Sequence, residues 1–123
     1  MQRKPSYETL CKRFIAGVDK TRTIDYLDRT SIRRNNAGVD QYRKAAKQIG
    51  ELYPELIDDF AFLLNCDDLI LRKCVAICMV DLMNLSDEQY DRAYSTVYEL
   101  YLSCTDRLEI IGTKYWLEKN KKK

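Results

Sequence analysis

The sequence contains no histidine. That absence removes every mechanism built on an imidazole base, an imidazole nucleophile or a histidine metal ligand. Glycine and proline are scarce too, four and two in 123 residues. An all-β sandwich or barrel needs turn residues every 8–12 positions or so, and this chain cannot supply them. Long apolar runs are missing: the longest, Cys74–Val80, has seven residues, far short of a membrane span. Met1–Ser6 is polar and no apolar run follows, so no secretory signal is expected. The five cysteines, an odd number, then read as reduced thiols of a cytoplasmic protein.

What is present suffices for a core. Hydrophobic residues make up 46% of the chain, so a fold needs neither disulfide nor metal nor other cofactor to hold it. The length predicts a single domain over residues 1–123, with 118–123 as a flexible basic tail. The net charge of +2 conceals a strong asymmetry. Residues 1–50 hold 12 Lys and Arg against 5 Asp and Glu, and residues 51–109 hold 4 against 13. Residues 110–123 are basic again, with 5 against 1. A partner would meet that polarity rather than the sum.

Apolar spacing is helical almost throughout. A first helix is predicted from Ser6, burying Tyr7, Leu10, Phe14, Ile15 and Val18, with Gly17 weakening or ending it. Residues 19–31 are ambiguous, and a short separate helix after Thr23 is the preferred reading. Asn35 and Asn36 look like caps for a helix that buries Val39, Tyr42, Ala46, Ile49 and Tyr53. Pro54 stops that helix and opens a shorter one to Asn65, with Leu56, Phe60, Leu63 and Leu64 inside. Asp67 and Asp68 form a turn and an N-cap for Leu69–Asn84, the most apolar helix. Ser86 and Gln89 are spaced as a capping box for a helix to Cys104. Asp106 caps the last helix, whose inner face is expected to be Leu108, Ile111, Tyr115 and Trp116. No segment alternates with a period of two, so the fold class is all-α, with antiparallel neighbours on short loops.

Residues 54–83, PELIDDFAFLLNCDDLILRKCVAICMVDLM, carry more than periodicity. A helix, an Asp-bearing tight turn, and a helix with an early basic residue and then small apolar residues make a layout that resembles a HEAT repeat. Asp68 and Arg72 occupy the signature positions, followed by Cys74, Val75 and Ala76. Cys66 departs from the pattern by replacing the first turn Asp, and the usual turn proline is absent. Over residues 10–118 the order of elements is similar to small bacterial domains of unknown function. The resemblance implies a HEAT/armadillo-like α-α superhelix of about five to seven helices and offers no catalytic motif to carry over. Helical-repeat proteins of this size also include immunity proteins that neutralise a co-encoded toxin.

Each chemical reading competes with a plain one. Cys74 and Cys78 share a helix face, and with Cys66 and Cys104 they would make a four-thiolate zinc site, but no C-x₂-C pair exists and packed free thiols explain them. The pairs Asp58-Asp59, Asp67-Asp68 and Asp87-Glu88 fit helix starts and solvent faces better than a two-carboxylate catalytic cleft. Tyr90, Tyr94, Tyr98 and Tyr101 form a ladder along one helix, either as core filling or as an interface, with Tyr98 the member to expose. Arg3, Lys4, Lys12, Arg13, Lys20, Arg22, Arg29, Arg33 and Arg34 either face water or track phosphates. The expectation is a non-catalytic protein-binding module of immunity or regulatory type, not an enzyme. It would cover a basic partner such as a toxin or nuclease with Asp67, Asp68, Asp87, Glu88, Asp91, Tyr98 and Glu99. The alternative is nucleic-acid binding through the basic N-terminal helices.

Overall fold

Side-chain caps place most of the helix starts. The computed structural model describes residues 4–121 and forms six α-helices: α1 (Tyr7–Asp19), α2 (Arg29–Leu52), α3 (Ile57–Ala61), α4 (Leu69–Leu82), α5 (Asp87–Ser103) and α6 (Arg107–Lys119). No strand occurs among the described residues. Ser6 accepts the Thr9 amide, Asp68 that of Leu71, and Asp106 that of Glu109, each satisfying an N–H that the helix itself leaves unpaired. At α5 the capping box is complete: Ser86 accepts from the Gln89 amide at 3.1 Å, and the Gln89 side chain accepts from the Ser86 amide at 2.9 Å. No described helix is long and apolar enough to cross a membrane. Arg3, Lys122 and Lys123 lie outside the described residues.

The chain divides into two compact units, Met1–Phe60 and Ala61–Lys123. In the first, Leu10, Phe14 and Val18 of α1 are fully buried, as are Ala46 and Ile49 of α2. Phe14 meets Tyr42 and Phe60 edge-on, at 5.5 and 5.1 Å between centroids. Gly17 does not end α1. It lies against Gly38 of α2, and a Cβ built on it would stand 2.8 Å from the Gly38 carbonyl oxygen and from the Tyr42 nitrogen. A Cβ on Gly38 would stand 2.6 Å from the Gly17 oxygen. Neither glycine has positive φ, so what the pair provides is close helix approach rather than backbone freedom. Beside this crossing, Lys20 Nζ donates to Gln41 Oε1 at 2.6 Å, and Gln41 Nε2 donates to the Arg13 carbonyl at 3.0 Å.

Two expectations for this unit are corrected. No separate helix forms in residues 20–28, which are turns and extended chain. Asp25 takes the Leu27 amide on its own carboxylate at 2.9 Å, and the Asp25 amide donates to Ser31 Oγ at 2.7 Å, so the local donors are already engaged in a turn. Asn35 and Asn36 do not cap anything. Asp28 caps α2 by accepting the Thr30 amide at 2.9 Å, which starts the helix two turns earlier and leaves both asparagines inside it.

The predicted helix from Pro54 to Asn65 is also broken, into a 3-10 turn (Pro54–Leu56), α3 and a second 3-10 turn (Phe62–Asn65). In the second unit, Leu71, Val75, Ala76, Cys78 and Met79 of α4 are buried, as are Ala93 and Val97 of α5. Arg72 Nε reaches back to donate to the Leu64 carbonyl at 3.0 Å, closing the turn before α4. The largest correction concerns α6. Leu108, Ile111 and Tyr115, expected inside, are 81%, 66% and 69% exposed, while Thr113 and Leu117 are buried. A polar row decides the rotation of this helix. Lys73 of α4 donates to Glu109 Oε1 at 2.9 Å and Thr113 Oγ1 at 2.8 Å, and Trp116 Nε1 donates to Asp81 Oδ1 at 3.1 Å. Glu109, Thr113 and Trp116 fall at i, i+4 and i+7, so satisfying them turns the apolar row outward. The helix continues through Lys119, two residues into the segment expected to be tail.

Candidate functional site

The tyrosine ladder of α5 builds one wall of a groove and α6 builds the other. At 100° per residue, Tyr90, Tyr94 and Tyr101 stand beside the buried row of Ala93 and Val97, and Tyr98 lies one step further out. The ladder is therefore core on its inner edge and surface on its outer edge. Tyr90 stacks on Tyr94 with planes 11° apart at 6.4 Å, and Tyr94 stacks on Trp116 of α6 at 6.0 Å. Tyr98 and Tyr101 are tilted by 41° at 6.4 Å.

Two hydroxyls tie the walls together. The Tyr94 hydroxyl donates to the Leu117 carbonyl at 2.8 Å, and the Tyr90 hydroxyl donates to the carbonyl of Asn120, the C-cap of α6. These bonds satisfy carbonyls that the end of a helix leaves open. The remaining space is a groove of about 570 Å³, lined by the four tyrosines, Asp91, Ser95, Lys114, Leu117, Glu118 and Lys121. Burial raises the Tyr94 phenol above its ordinary pKa, and Tyr90, Tyr98 and Glu118 add to the effect. The groove thus offers tyrosine faces and oxygens with carboxylates on both walls and ammonium groups on the α6 side. Such a surface suits a side chain with an apolar stem and a charged head.

The residues singled out from the sequence separate into three places. Asp91 and the half-exposed Tyr98 come together in the groove. Asp87 lies four residues before Asp91 on the same face of α5, in the first turn where a carboxylate complements the helix dipole. Glu88 and Glu99 are eleven residues apart and share the neighbouring exposed face. Asp67 is exposed in the turn before α4, and the Asp68 carboxylate caps that helix. The contribution of α6 (Lys114, Leu117 and Glu118) was not foreseen, because the outward Leu108, Ile111 and Tyr115 row was assigned to the interior. The signal that could have found it was the ladder itself. Tyrosine hydroxyls at the edge of a core need acceptors, and the last turn of a neighbouring helix offers them.

Cys66, Cys74, Cys78 and Cys104 do not line this groove. Cys78 is buried, and Cys66 and Cys104 each donate to the carbonyl two residues on, of Asp68 and Asp106. Among the described residues, no group of three or more Cys, Asp or Glu side chains could hold a metal ion. Several basic residues of the N-terminal half are engaged locally. Lys12 pairs with Glu8 at 3.2 Å, Arg22 with Asp19 at 2.7 Å, and Lys4 lies 4.5 Å above the Tyr53 ring. No family model matches this chain, nor does any curated protein or solved structure.

Proposed function

We propose that the α5–α6 groove is the docking surface of a non-catalytic protein-binding module, and that its partner presents a basic segment. The observation that carries this reading is the meeting of Asp91 and half-exposed Tyr98 in a groove of four tyrosines, with Asp87 in line on the same wall. Aromatic rings that are already packed lose little side-chain entropy on binding, and tyrosine is enriched among residues that dominate interfaces. A lysine or arginine stem lies along the rings while its charge faces Asp91 and Glu118. The exposed row of Leu108, Ile111 and Tyr115 on α6 extends the apolar surface available to the same partner. Glu88 and Glu99 set a negative field around the site that speeds encounter with a basic protein such as a toxin or nuclease.

The HEAT-like reading of the fold belongs to the same proposal. It is supported by Asp68 capping α4 while Arg72 closes onto the Leu64 carbonyl.

Trp116, the only tryptophan, stacks on Tyr94 and reports on the groove directly. A titration with a synthetic peptide rich in Arg and Lys should give a saturable change in Trp116 emission. Asp91→Lys and Tyr98→Ala, both at exposed positions, should each weaken it tenfold or more. An equal response to a control peptide with Glu in place of each Arg and Lys, or none to either peptide, would overturn the reading.

A further inference from the structure

The basic N-terminal half resolves into side chains with local partners and side chains without. Lys4, Lys12, Lys20 and Arg22 have partners within their own unit. Arg29, Arg33, Lys44 and Lys47 of α2 are exposed and make no hydrogen bond or ion pair among the described residues. At 100° per residue these four fall within a sector of about 60°, opposite the buried row of Gly38, Ala45 and Ile49. From residue 29 to residue 47 the row extends about 27 Å along the helix at 1.5 Å per residue. Asp40 interrupts it and Glu51 closes its far end.

Helix physics argues against the position of the first. The N-terminal pole of a helix is positive, so first-turn residues are favourably acidic, yet α2 has no acidic residue there and begins with Arg29. Arg33 and Arg34 follow one turn later. A cation at the positive pole goes against the local rule, as side chains kept for a surface contact do. Just before them, the turn exposes the ring of Tyr26. The carboxylates of that turn, Asp25 and Asp28, are held by the backbone amides of Leu27 and Thr30.

We propose that the outer face of α2 is a contact surface for the phosphodiester backbone of a nucleic acid. Arg29 and Arg33 grip it at one point, and Lys44 and Lys47 grip it about 22 Å further along the axis. An anionic membrane is the weaker match, because a helix lying on lipid needs a free apolar face, and that face of α2 is packed against α1 at the Gly17–Gly38 crossing. The exposed Tyr26 ring adds a stacking surface that only an unpaired base can use. The surface lies in the first unit and does not depend on the reading of the α5–α6 groove.

The test is fluorescence anisotropy on labelled single-stranded and duplex oligonucleotides over a salt series. Four phosphate contacts give a slope of log K against log salt of about −3.6 for duplex and about −2.8 for single strands. Arg29→Glu with Arg33→Glu, or Lys44→Glu with Lys47→Glu, should lower affinity at least tenfold at low salt and reduce the slope by about two. The first pair should leave the melting temperature unlowered, since a glutamate at position 29 complements the helix pole. Reversed charges that melt normally therefore rule out unfolding as the cause of lost binding. Tyr26→Ala should weaken the single-strand arm alone. Absence of salt-dependent binding would overturn the proposal, as would variants that bind like the parent. So would a stronger response to vesicles containing 30 mol% phosphatidylserine that the same substitutions abolish.

Discussion

Replacing glycine by alanine inside a helix ordinarily stabilises it, and this chain contains both that case and its opposite. The gain in helix propensity is about 1 kcal/mol. At Gly17 and Gly38 the added methyl would stand 2.8 and 2.6 Å from backbone atoms of the facing helix, which cannot rotate away. Forcing a methyl into packed structure costs about 1–3 kcal/mol, and contact with backbone on both sides places these two sites at the upper end. Subtracting the propensity gain leaves Gly17→Ala and Gly38→Ala destabilised by about 2 kcal/mol each. For a unit of this size that lowers the melting temperature by roughly 8–16 °C. Gly112 supplies the control: it lies inside α6, and a Cβ there meets nothing within 4 Å. Gly112→Ala should therefore stabilise by roughly 0.5–1 kcal/mol. The double variant Gly17→Ala/Gly38→Ala should be less than additive, because the first methyl already separates the helices. Thermal and urea unfolding followed by circular dichroism measure all four. Stabilisation by either crossing substitution, or destabilisation by Gly112→Ala, would refute the close-approach account.

Arg72→Ala removes the guanidinium that satisfies the Leu64 carbonyl and should cost about 1.5 kcal/mol in urea unfolding. Recovery of full stability in Arg72→Lys would mean that the charge matters and the reach does not. Tyr7 gives a pH dependence. Burial raises its phenol strongly, with Cys11 and then Asp59 adding to the effect, so the folded chain holds that proton more tightly than the unfolded one. The associated stability is complete below the ordinary phenol pKa of about 10 and is lost as pH rises through the folded value. Denaturation midpoints between about pH 9 and 11 should therefore fall more steeply for the parent than for Tyr7→Phe, and parallel curves would exclude this origin.

Features encoded by adjacent residues were legible in the sequence. Asp68, Ser86 with Gln89, and Asp106 all act as caps where their spacing placed them, because a cap is a contact over two or three residues. The all-helical class followed from periodicity, and six α-helices fall within the expected range. Features set by a partner element were not legible. Gly17 reads as a helix breaker until Gly38 is opposite it. The start of α2 was missed because Asp28 is followed by arginines rather than first-turn acids, while Asn35 and Asn36 offered familiar cap chemistry. The rotation of α6 was missed because Leu108, Ile111 and Tyr115 form the more apolar row, yet bonds with Lys73, Asp81, Tyr90 and Tyr94 select the other face. In the groove the α5 wall was visible as a tyrosine ladder beside Asp91. Its α6 wall depended on that rotation.

The most direct test of the docking account is a ¹⁵N–¹H correlation spectrum of the uniformly labelled chain, titrated with the Arg- and Lys-rich peptide. Resonances of Tyr90, Asp91, Tyr94, Tyr98, Lys114 and Glu118, with the Trp116 indole, should shift together along one saturable curve. Shifts centred elsewhere in the chain, or a spectrum unchanged at millimolar peptide, would contradict it.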